Sequence, residues 1–160
     1  MKIRVGYGYD VHKIVVNREL YLGGVKIDTP FGLLGHSDAD VLIHAICDAL
    51  LGAANMRDIG FHFPDTSAAF EKIDSKLLLK QTVSLLREKG YEIGNVDCTI
   101  CAEKPKINPH ISAMQKVLAD VMAIDVEDIS IKATTSEQLG FVGREEGLAA
   151  YAVALITKTV

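Results

Sequence analysis

Stretches with the apolar repeat of a helix alternate along this chain with stretches that have the repeat of a β-strand. Strands are predicted over residues 2–10, 20–27, 94–102, 129–134 and 148–159, helices over 37–54, 75–89 and 109–123, and one helical turn at 137–139. We expect the first two strands to form a loose hairpin and the last strand to be buried on both faces. This order predicts an α/β (α+β) sandwich in which helices cover one face of a mixed β-sheet.

Length and charge narrow the class of protein further. The 160 residues suit a single domain spanning 1–160, and with a net charge of −4 and no Lys/Arg block we expect no nucleic-acid partner. Every long apolar stretch is interrupted well short of a bilayer span, and the chain runs straight into a strand pattern, so we expect neither a membrane span nor a leader. Three cysteines are too few for a disulfide framework, which favours a cytoplasmic location.

Asp10 and His12 are the first pair of side chains with potential chemistry. They lie two residues apart in an alternating pattern that continues from the first predicted strand to His12, so both project to the same side, together with Gly6 and Gly8, which leave room for an approaching group. Zinc binds oxygen and nitrogen ligands, and this pair predicts half of a zinc site. The alternative is an exposed strand end that happens to carry two polar residues.

His44 is the natural third ligand. It lies on the predicted helix 37–54, four residues after Asp40 and four before Asp48, and either carboxylate could orient the imidazole by accepting its second N–H. Two histidines and one aspartate leave a tetrahedral position open, as in catalytic zinc sites. The alternative is that the three polar residues form a solvated helix face.

Two loops have the composition of phosphate sites. Residues 35–38 precede the helix, where backbone N–H groups and the helix dipole favour an anion and His36 could add a charge or a hydrogen bond; the alternative is an ordinary cap formed by Ser37. Residues 134–137 supply three hydroxyls and a carboxylate, which suit phosphate oxygens together with a hard divalent cation. The alternative there is a capping box between the first and last of these four residues.

Three further features are weaker. The basic loop 104–106 could bind phosphate or a base edge, or be merely solvated, and Arg144 could simply pair with the acidic residues that follow it. Cys98 and Cys101 have the spacing of a redox or zinc motif, but positions three apart on a strand face opposite sides. We therefore interpret both cysteines as packing residues.

In combination, these segments resemble the 2-C-methyl-D-erythritol 2,4-cyclodiphosphate synthase family, the cyclising enzymes of the non-mevalonate isoprenoid pathway. The matching segments are residues 8–12, 35–45, 58–60, 63–65, 94–97, 132–141 and 143–144, in the order and spacing of the family. The resemblance covers nearly the whole chain, which makes the set specific although no single part is.

The resemblance implies a set of functional residues. Asp10, His12 and His44 match the zinc ligands, Glu137 a second divalent cation (Mg²⁺ or Mn²⁺), and His36 and Thr135 the residues that stabilise the transition state. It also implies a homotrimer with each active site between two subunits. Substrate contacts are implied at Asp10, His12, His36, Ser37, Asp58, Ile59, Gly60, Phe63, Pro64, Asp65, Thr66, Ser67, Ala102, Lys104, Pro105, Lys106, Ile107, Asn108, Thr134, Thr135, Ser136, Glu137, Phe141 and Arg144.

The implied reaction is a ring closure. The substrate, 4-diphosphocytidyl-2-C-methyl-D-erythritol 2-phosphate, carries its own nucleophile, a 2-phosphate that attacks the β-phosphorus, closes an eight-membered ring and releases CMP. Two other functions fit the same residues. A zinc-dependent phosphoesterase would use the metal to activate water, and a trimeric binding module would carry out no chemistry.

Overall fold

The computed structural model describes residues 1–64 and 72–159. The strands are β1 (Lys2–Val16), β2 (Leu20–Leu22), β3 (Val25–Ile27), β4 (Phe31–Leu33), β5 (Glu92–Cys101), β6 (Ile129–Thr134) and β7 (Gly147–Lys158). The helices are α1 (Val41–Ala53), α2 (Ile59–His62), α3 (Ser75–Glu88), α4 (Ile111–Met122) and α5 (Gly140–Gly143), with short 3-10 turns at Asn108–His110 and Val126–Asp128. Within these described ranges, no helix combines the length and apolarity that crossing a bilayer requires.

Five strands form one sheet in the order β4-β1-β7-β5-β6. The β5–β6 pair is parallel and the other pairs are antiparallel, which confirms the predicted mixed sheet. The predicted hairpin between residues 2–10 and 20–27 is wrong. β1 pairs with β4 and β7, whereas β2 and β3 pair with each other, because Gly23 and Gly24 have φ values of +57° and +74° and form a tight turn between them.

The glycines of β1 let helix α1 lie directly on the sheet. A Cβ atom at Gly8 would be 1.9 Å from the carbonyl oxygen of Ala45, and one at Gly6 would be 1.9 Å from that of Ala49. The space that these glycines leave is therefore filled by the backbone of α1. Helices α3 and α4 pack on the same side of the sheet and complete a core of buried aliphatic side chains.

The other face of β1 and β7 is apolar and exposed. Val5 and Tyr7 on β1 are 64% and 61% exposed, and Tyr151 and Val153 on β7 are 36% and 42% exposed. The expectation that the last strand is buried on both faces is therefore wrong for the single chain, because the helices of its described part pack on the opposite side. We call these residues, with Ile3, Tyr9 and Val11, the open sheet face.

Helix α1 begins four residues later than predicted. Its N-cap is Asp40, whose carboxylate accepts hydrogen bonds from the amides of Ile43 (3.1 Å), Gly23 (3.0 Å) and Gly24 (2.7 Å). Burial and the nearby Asp38 charge raise the pKa of the Asp40 carboxyl despite these amide donors. Because Asp40 caps the helix, Ser37 lies before it in a loop.

Candidate metal centre and active site

Asp10, His12 and His44 converge on one point, and we call them the metal-ligand cluster. The Asp10 Oδ2 atom is 2.9 Å from His12 Nε2 and 3.0 Å from His44 Nδ1, and the two nitrogens are 3.1 Å apart. Tetrahedral coordination with bonds of about 2.0–2.1 Å places ligand atoms roughly 3.3 Å apart, close to these separations. The cluster, formed by strand β1 and helix α1, could therefore hold a metal ion.

A hydrogen bond orients the His12 ring for metal binding. Its Nδ1 lies 2.8 Å from the carbonyl oxygen of Leu34, which can only accept, so Nδ1 carries the proton and Nε2 faces the cluster. Burial alone would raise the pKa of Asp10, but hydrogen bonds and charge from both histidines lower it to about 2. Burial opposes a rise in the pKa of His12, and its contact with Asp10 raises it nonetheless. Asp10 and His12 thus stabilise each other's charged forms.

The carboxylates on either side of His44 do not orient it, so that prediction is wrong. Asp40 turns towards the amides that it caps, and Asp48 accepts a hydrogen bond from the amide of Ile59 at 2.7 Å. The second nitrogen of His44, Nε2, instead contacts the hydroxyls of Ser37 (3.1 Å) and Ser75 (3.0 Å). Asp40 is 0% exposed and the His44 side chain 12%, so the alternative of a solvated helix face is also wrong.

A cavity of about 360 Å³ opens beside the metal-ligand cluster. It is lined by His12, Gly35, His36, Ser37, His44, Ile59, Gly60, Phe63, Ile73 and Leu78. Several predicted substrate contacts thus line one and the same cavity. Asp58 lies at the start of α2, where it caps the amide of Phe61 at 2.9 Å. Pro64 follows the lining residue Phe63, whereas Asp65, Thr66 and Ser67 lie outside the described residues.

Residues 35–38 do not form a helix N-terminus. The prediction of a phosphate site built on the helix dipole is wrong, because α1 begins at Val41 and the Asp40 carboxylate occupies its end. The loop is held instead by Arg18, whose guanidinium donates to the carbonyl oxygens of Gly35 (3.0 Å) and Ser37 (2.5 Å).

A second, smaller cavity of about 150 Å³ lies where the parallel strands β5 and β6 end. It is lined by Ala102, Glu103, Pro105, Lys106, Ile107, Asn108, Ala133, Thr134 and Thr135, which include most of the predicted cytidine contacts. Lys104 does not line it and forms an ion pair with Glu145, with 3.0 Å between Nζ and Oε1. The two cavities have no lining residue in common within the part of the chain that the structure describes.

Residues 135–138, which we call the Glu137 loop, follow strand β6. Glu137 and Gln138 have φ values of +54° and +62°, and the next helix, α5, begins only at Gly140. The capping-box alternative and the predicted helical turn at 137–139 are therefore both wrong. Glu103 holds this loop by accepting hydrogen bonds from the amide of Ser136 (3.1 Å), its hydroxyl (3.2 Å) and the amide of Gln138 (3.2 Å).

Comparison with known proteins identifies the family of this chain. The model of the YgbB family matches residues 3–157. The chain belongs to the YgbB family. Among its relatives, the 2-C-methyl-D-erythritol 2,4-cyclodiphosphate synthase of Parabacteroides distasonis is 69% identical over 99% of this chain and 98% of that protein. The synthase of the same name from Bacteroides fragilis is 66% identical over 99% of both.

Solved structures share the fold over nearly the full length. The Plasmodium falciparum IspF CDP complex has a TM-score of 0.87 at 38% identity and covers 99% of this chain and 97% of that one. The bifunctional IspDF of Campylobacter jejuni has a TM-score of 0.95 at 43% identity, and the match covers 99% of this chain and 43% of that one. The chain thus spans less than half of that bifunctional protein and nearly the full length of the Parabacteroides distasonis and Bacteroides fragilis synthases.

The remaining predicted residues of this YgbB chain lie outside both cavities. Phe141 lines a separate surface hollow together with His12. Arg144 is exposed and pairs with Glu146 at 2.8 Å. Cys98 is buried against the helices, where burial raises the pKa of its thiol to about 12, and Cys101 lies on the opposite side of β5. Both cysteines are free, in agreement with their interpretation as packing residues.

Proposed function

We propose that the chain converts 4-diphosphocytidyl-2-C-methyl-D-erythritol 2-phosphate to 2-C-methyl-D-erythritol 2,4-cyclodiphosphate and CMP, a step of the non-mevalonate isoprenoid pathway. The observation that carries this function is the metal-ligand cluster, open to a cavity, in a YgbB chain whose relatives bear the name of that synthase along their whole length. The family and the enzymatic activity expected from the sequence are thereby confirmed.

The reaction exchanges one phosphoanhydride bond for another. An oxygen of the 2-phosphate forms a bond to the β-phosphorus, the bond from that phosphorus to the bridging oxygen breaks, and its electron pair leaves with CMP. The attacking phosphate is already ionised at neutral pH, so no general base is required. Because one anion attacks another, the protein must neutralise charge and hold the two phosphates in line.

Asp10, His12 and His44 suit Zn²⁺, since two imidazoles and one carboxylate with an open position are a common catalytic zinc set. When bound, such an ion supplies positive charge beside the diphosphate. Glu137 offers an exposed carboxylate and belongs to no group of three ligands within the described residues, so it would hold Mg²⁺ or Mn²⁺ together with substrate phosphates. Its Oε1 atom lies 3.4 Å from the Thr135 hydroxyl, which keeps the two predicted groups adjacent.

The remaining roles fall on the two cavities. His36 and Ser37, on the wall beside the metal-ligand cluster, and Thr135, beside Glu137, would donate hydrogen bonds to phosphate oxygens. The cavity at residues 102–108 would bind cytidine, largely through its backbone, and a solved relative is described as a CDP complex. Phe141 and Arg144 complete the substrate contacts that we carry over from the family.

We further propose that the chain, a single domain, forms a homotrimer in the cytoplasm. The open sheet face supports this assembly because large exposed apolar patches mark contact surfaces between proteins. The separation of the two cavities supports it as well, since a complete active site would combine the metal-ligand cluster of one subunit with the cytidine cavity of the next. Three free cysteines are in keeping with a reducing compartment.

The assembly is tested by placing a charge on the open sheet face. We expect Tyr7→Glu to reduce the mass measured by light scattering from three chains of 17.4 kDa to one. Leu77→Glu is the matched control, because Leu77 is 50% exposed on α3, on the other side of the sheet. A wild-type chain that is monomeric at micromolar concentration would contradict the trimer.

The reaction is tested by following phosphorus NMR signals of the substrate incubated with protein, Zn²⁺ and Mg²⁺. Cyclisation yields CMP and a cyclic diphosphate in equal amounts. A zinc phosphoesterase would instead yield an opened monophosphate product, and a binding module would leave the substrate intact. Either of the last two results would overturn the proposed function.

A further inference from the structure

The two ring nitrogens of His44 face different surroundings. Nδ1 faces the metal-ligand cluster, 3.0 Å from Asp10 Oδ2, while Nε2 faces two serine hydroxyls. A neutral imidazole binds a metal ion only through the nitrogen that lacks a proton. Metal binding at Nδ1 therefore requires that the proton reside on Nε2, and something on that side of the ring must keep it there.

Ser75 has the contacts to do so. Its hydroxyl lies 2.5 Å from Asp38 Oδ1, and its amide donates to Asp38 Oδ2 at 3.0 Å. A carboxylate can only accept hydrogen bonds, so the hydroxyl proton of Ser75 is committed to Asp38. The Ser75 oxygen then has only lone pairs to offer His44, 3.0 Å away, and Nε2 must be the donor. Ser75 is 0% exposed, so water does not compete for these contacts.

The other hydroxyl at Nε2, that of Ser37, does not determine which nitrogen of His44 carries the proton. Its oxygen accepts from the amide of Ala39 at 3.1 Å, and its own proton is left able to rotate. It can therefore accept from a protonated Nε2 or donate to an unprotonated one. Nor is the Ser75 hydroxyl needed to start α3, because Asp74 caps that helix by accepting from the amide of Lys76 at 2.9 Å.

We propose that Asp38 and Ser75 form a positioning pair that favours the Nε2–H form of His44, against the pull of Asp10 on Nδ1, and so leaves Nδ1 available to the metal ion. The inference rests on the proposed metal centre at Asp10, His12 and His44. It assigns a function to two residues, from the loop before α1 and the start of α3, that neither touch the reacting phosphates nor bind the ion. Groups that orient metal-bound histidines in this way commonly change metal affinity by about 10–100-fold when they are removed.

The decisive variant is Asp38→Asn, which nearly keeps the shape of the side chain. An amide can donate to the Ser75 oxygen, which frees the serine proton to point at His44 and admits the wrong tautomer. Without metal, the Asp10 carboxylate, 3.0 Å from Nδ1, competes with Ser75 for the single proton of a neutral His44 ring. We therefore expect histidine ¹⁵N NMR of the metal-free protein at alkaline pH to show a larger Nε2–H fraction for His44 in the wild type than in Asp38→Asn. The His44 signals are assigned by their absence from His44→Ala.

Zinc affinity, measured by competition with a chromophoric chelator, gives a second readout. Asp38→Asn and Ser75→Ala should each bind Zn²⁺ about 10–100-fold more weakly. Ser84→Ala, a control at an exposed serine of the same helix, should bind as the wild type does. An unchanged tautomer and affinity in folded Asp38→Asn would overturn the positioning pair. A wild-type chain that takes up no zinc would instead overturn the metal centre, while the NMR result would still report on the tautomer.

Discussion

The metal-ligand cluster and the Glu137 loop are held in place in different ways. Asp10 and His12 belong to a strand paired along its length with β7, and His44 lies on a buried helix with serines behind its imidazole. The Glu137 loop is exposed, contains two residues with positive φ, and is held by a carboxylate, Glu103. The first region is built by the fold in advance of any ligand, whereas the second offers a single carboxylate, which the proposed cation site would complete with substrate phosphates.

The largest expected effect comes from removing a ligand in the region that the fold builds. We expect His44→Ala to lose bound zinc and to lower turnover about 10³-fold or more, because charge neutralisation by a metal is worth several kcal/mol. Metal analysis of the purified variant, read beside its rate, checks this. Glu137→Gln is the comparison: it should keep zinc and lose its dependence on Mg²⁺ or Mn²⁺. Unchanged zinc content in His44→Ala would show that the ligand assignment is wrong.

The next effect concerns the packing beneath His44. Gly8→Ala should lower the free energy of unfolding by about 3 kcal/mol or more, because the added methyl group meets the Ala45 carbonyl oxygen and α1 must move. Gly52→Ala is the control, since a Cβ there is 4.0 Å from its nearest neighbour and alanine favours a helix by about 1 kcal/mol. Denaturant titration measures both. Equal stability in the two variants would show that the contact between strand and helix is not rigid.

A smaller and more selective effect is expected at the Glu137 loop. Glu103→Ala removes the acceptor for the three hydrogen bonds that hold this loop. Turnover should fall about tenfold, and more Mg²⁺ should be needed, with zinc content and melting temperature unchanged. Glu103→Gln should be intermediate, because an amide oxygen still accepts, and Glu88→Ala should be silent. Loss of zinc in Glu103→Ala would show that the metal-ligand cluster and the Glu137 loop are not independent.

The smallest effect is a pH window in the metal-free protein. The lowered pKa of Asp10, about 2, adds stability that is complete above its ordinary value of 3.8 and is lost as the pH falls towards 2. The raised pKa of His12 adds stability that is complete below its ordinary value of 6.5 and is lost as the pH rises through the raised value. Wild type should therefore exceed Asp10→Asn by about 1 kcal/mol near pH 5 and by less at pH 2.5 or pH 9. A stability difference between wild type and Asp10→Asn that does not change between pH 2.5 and pH 9 would contradict the charge interaction of Asp10 with His12.

Sequence patterns predicted the parts of the fold and site that depend on local periodicity. The two-residue spacing of Asp10 and His12 placed them on one side of a strand, and β6 was predicted with its observed bounds, Ile129–Thr134. What failed depends on long-range contacts. The strand that pairs with β1 along most of its length is β7, at the other end of the chain, and a residue behind His44 is Ser75 rather than a helix neighbour. A serine at the start of a helix resembles any other, so its contact with a distant imidazole leaves no signal in the spacing.

The carboxylate of Asp40 joins the hairpin β2–β3 to the first turn of α1, through the amides of Gly23, Gly24 and Ile43. These three amides share one buried acceptor, so any opening that moves the Asp40 carboxylate exposes all three to solvent together. Hydrogen exchange should therefore report a single cooperative unit that includes a hairpin outside the main sheet and the helix turn next to His44. The hairpin contributes no metal ligand, but its opening would thus determine how often the helix turn next to His44 opens.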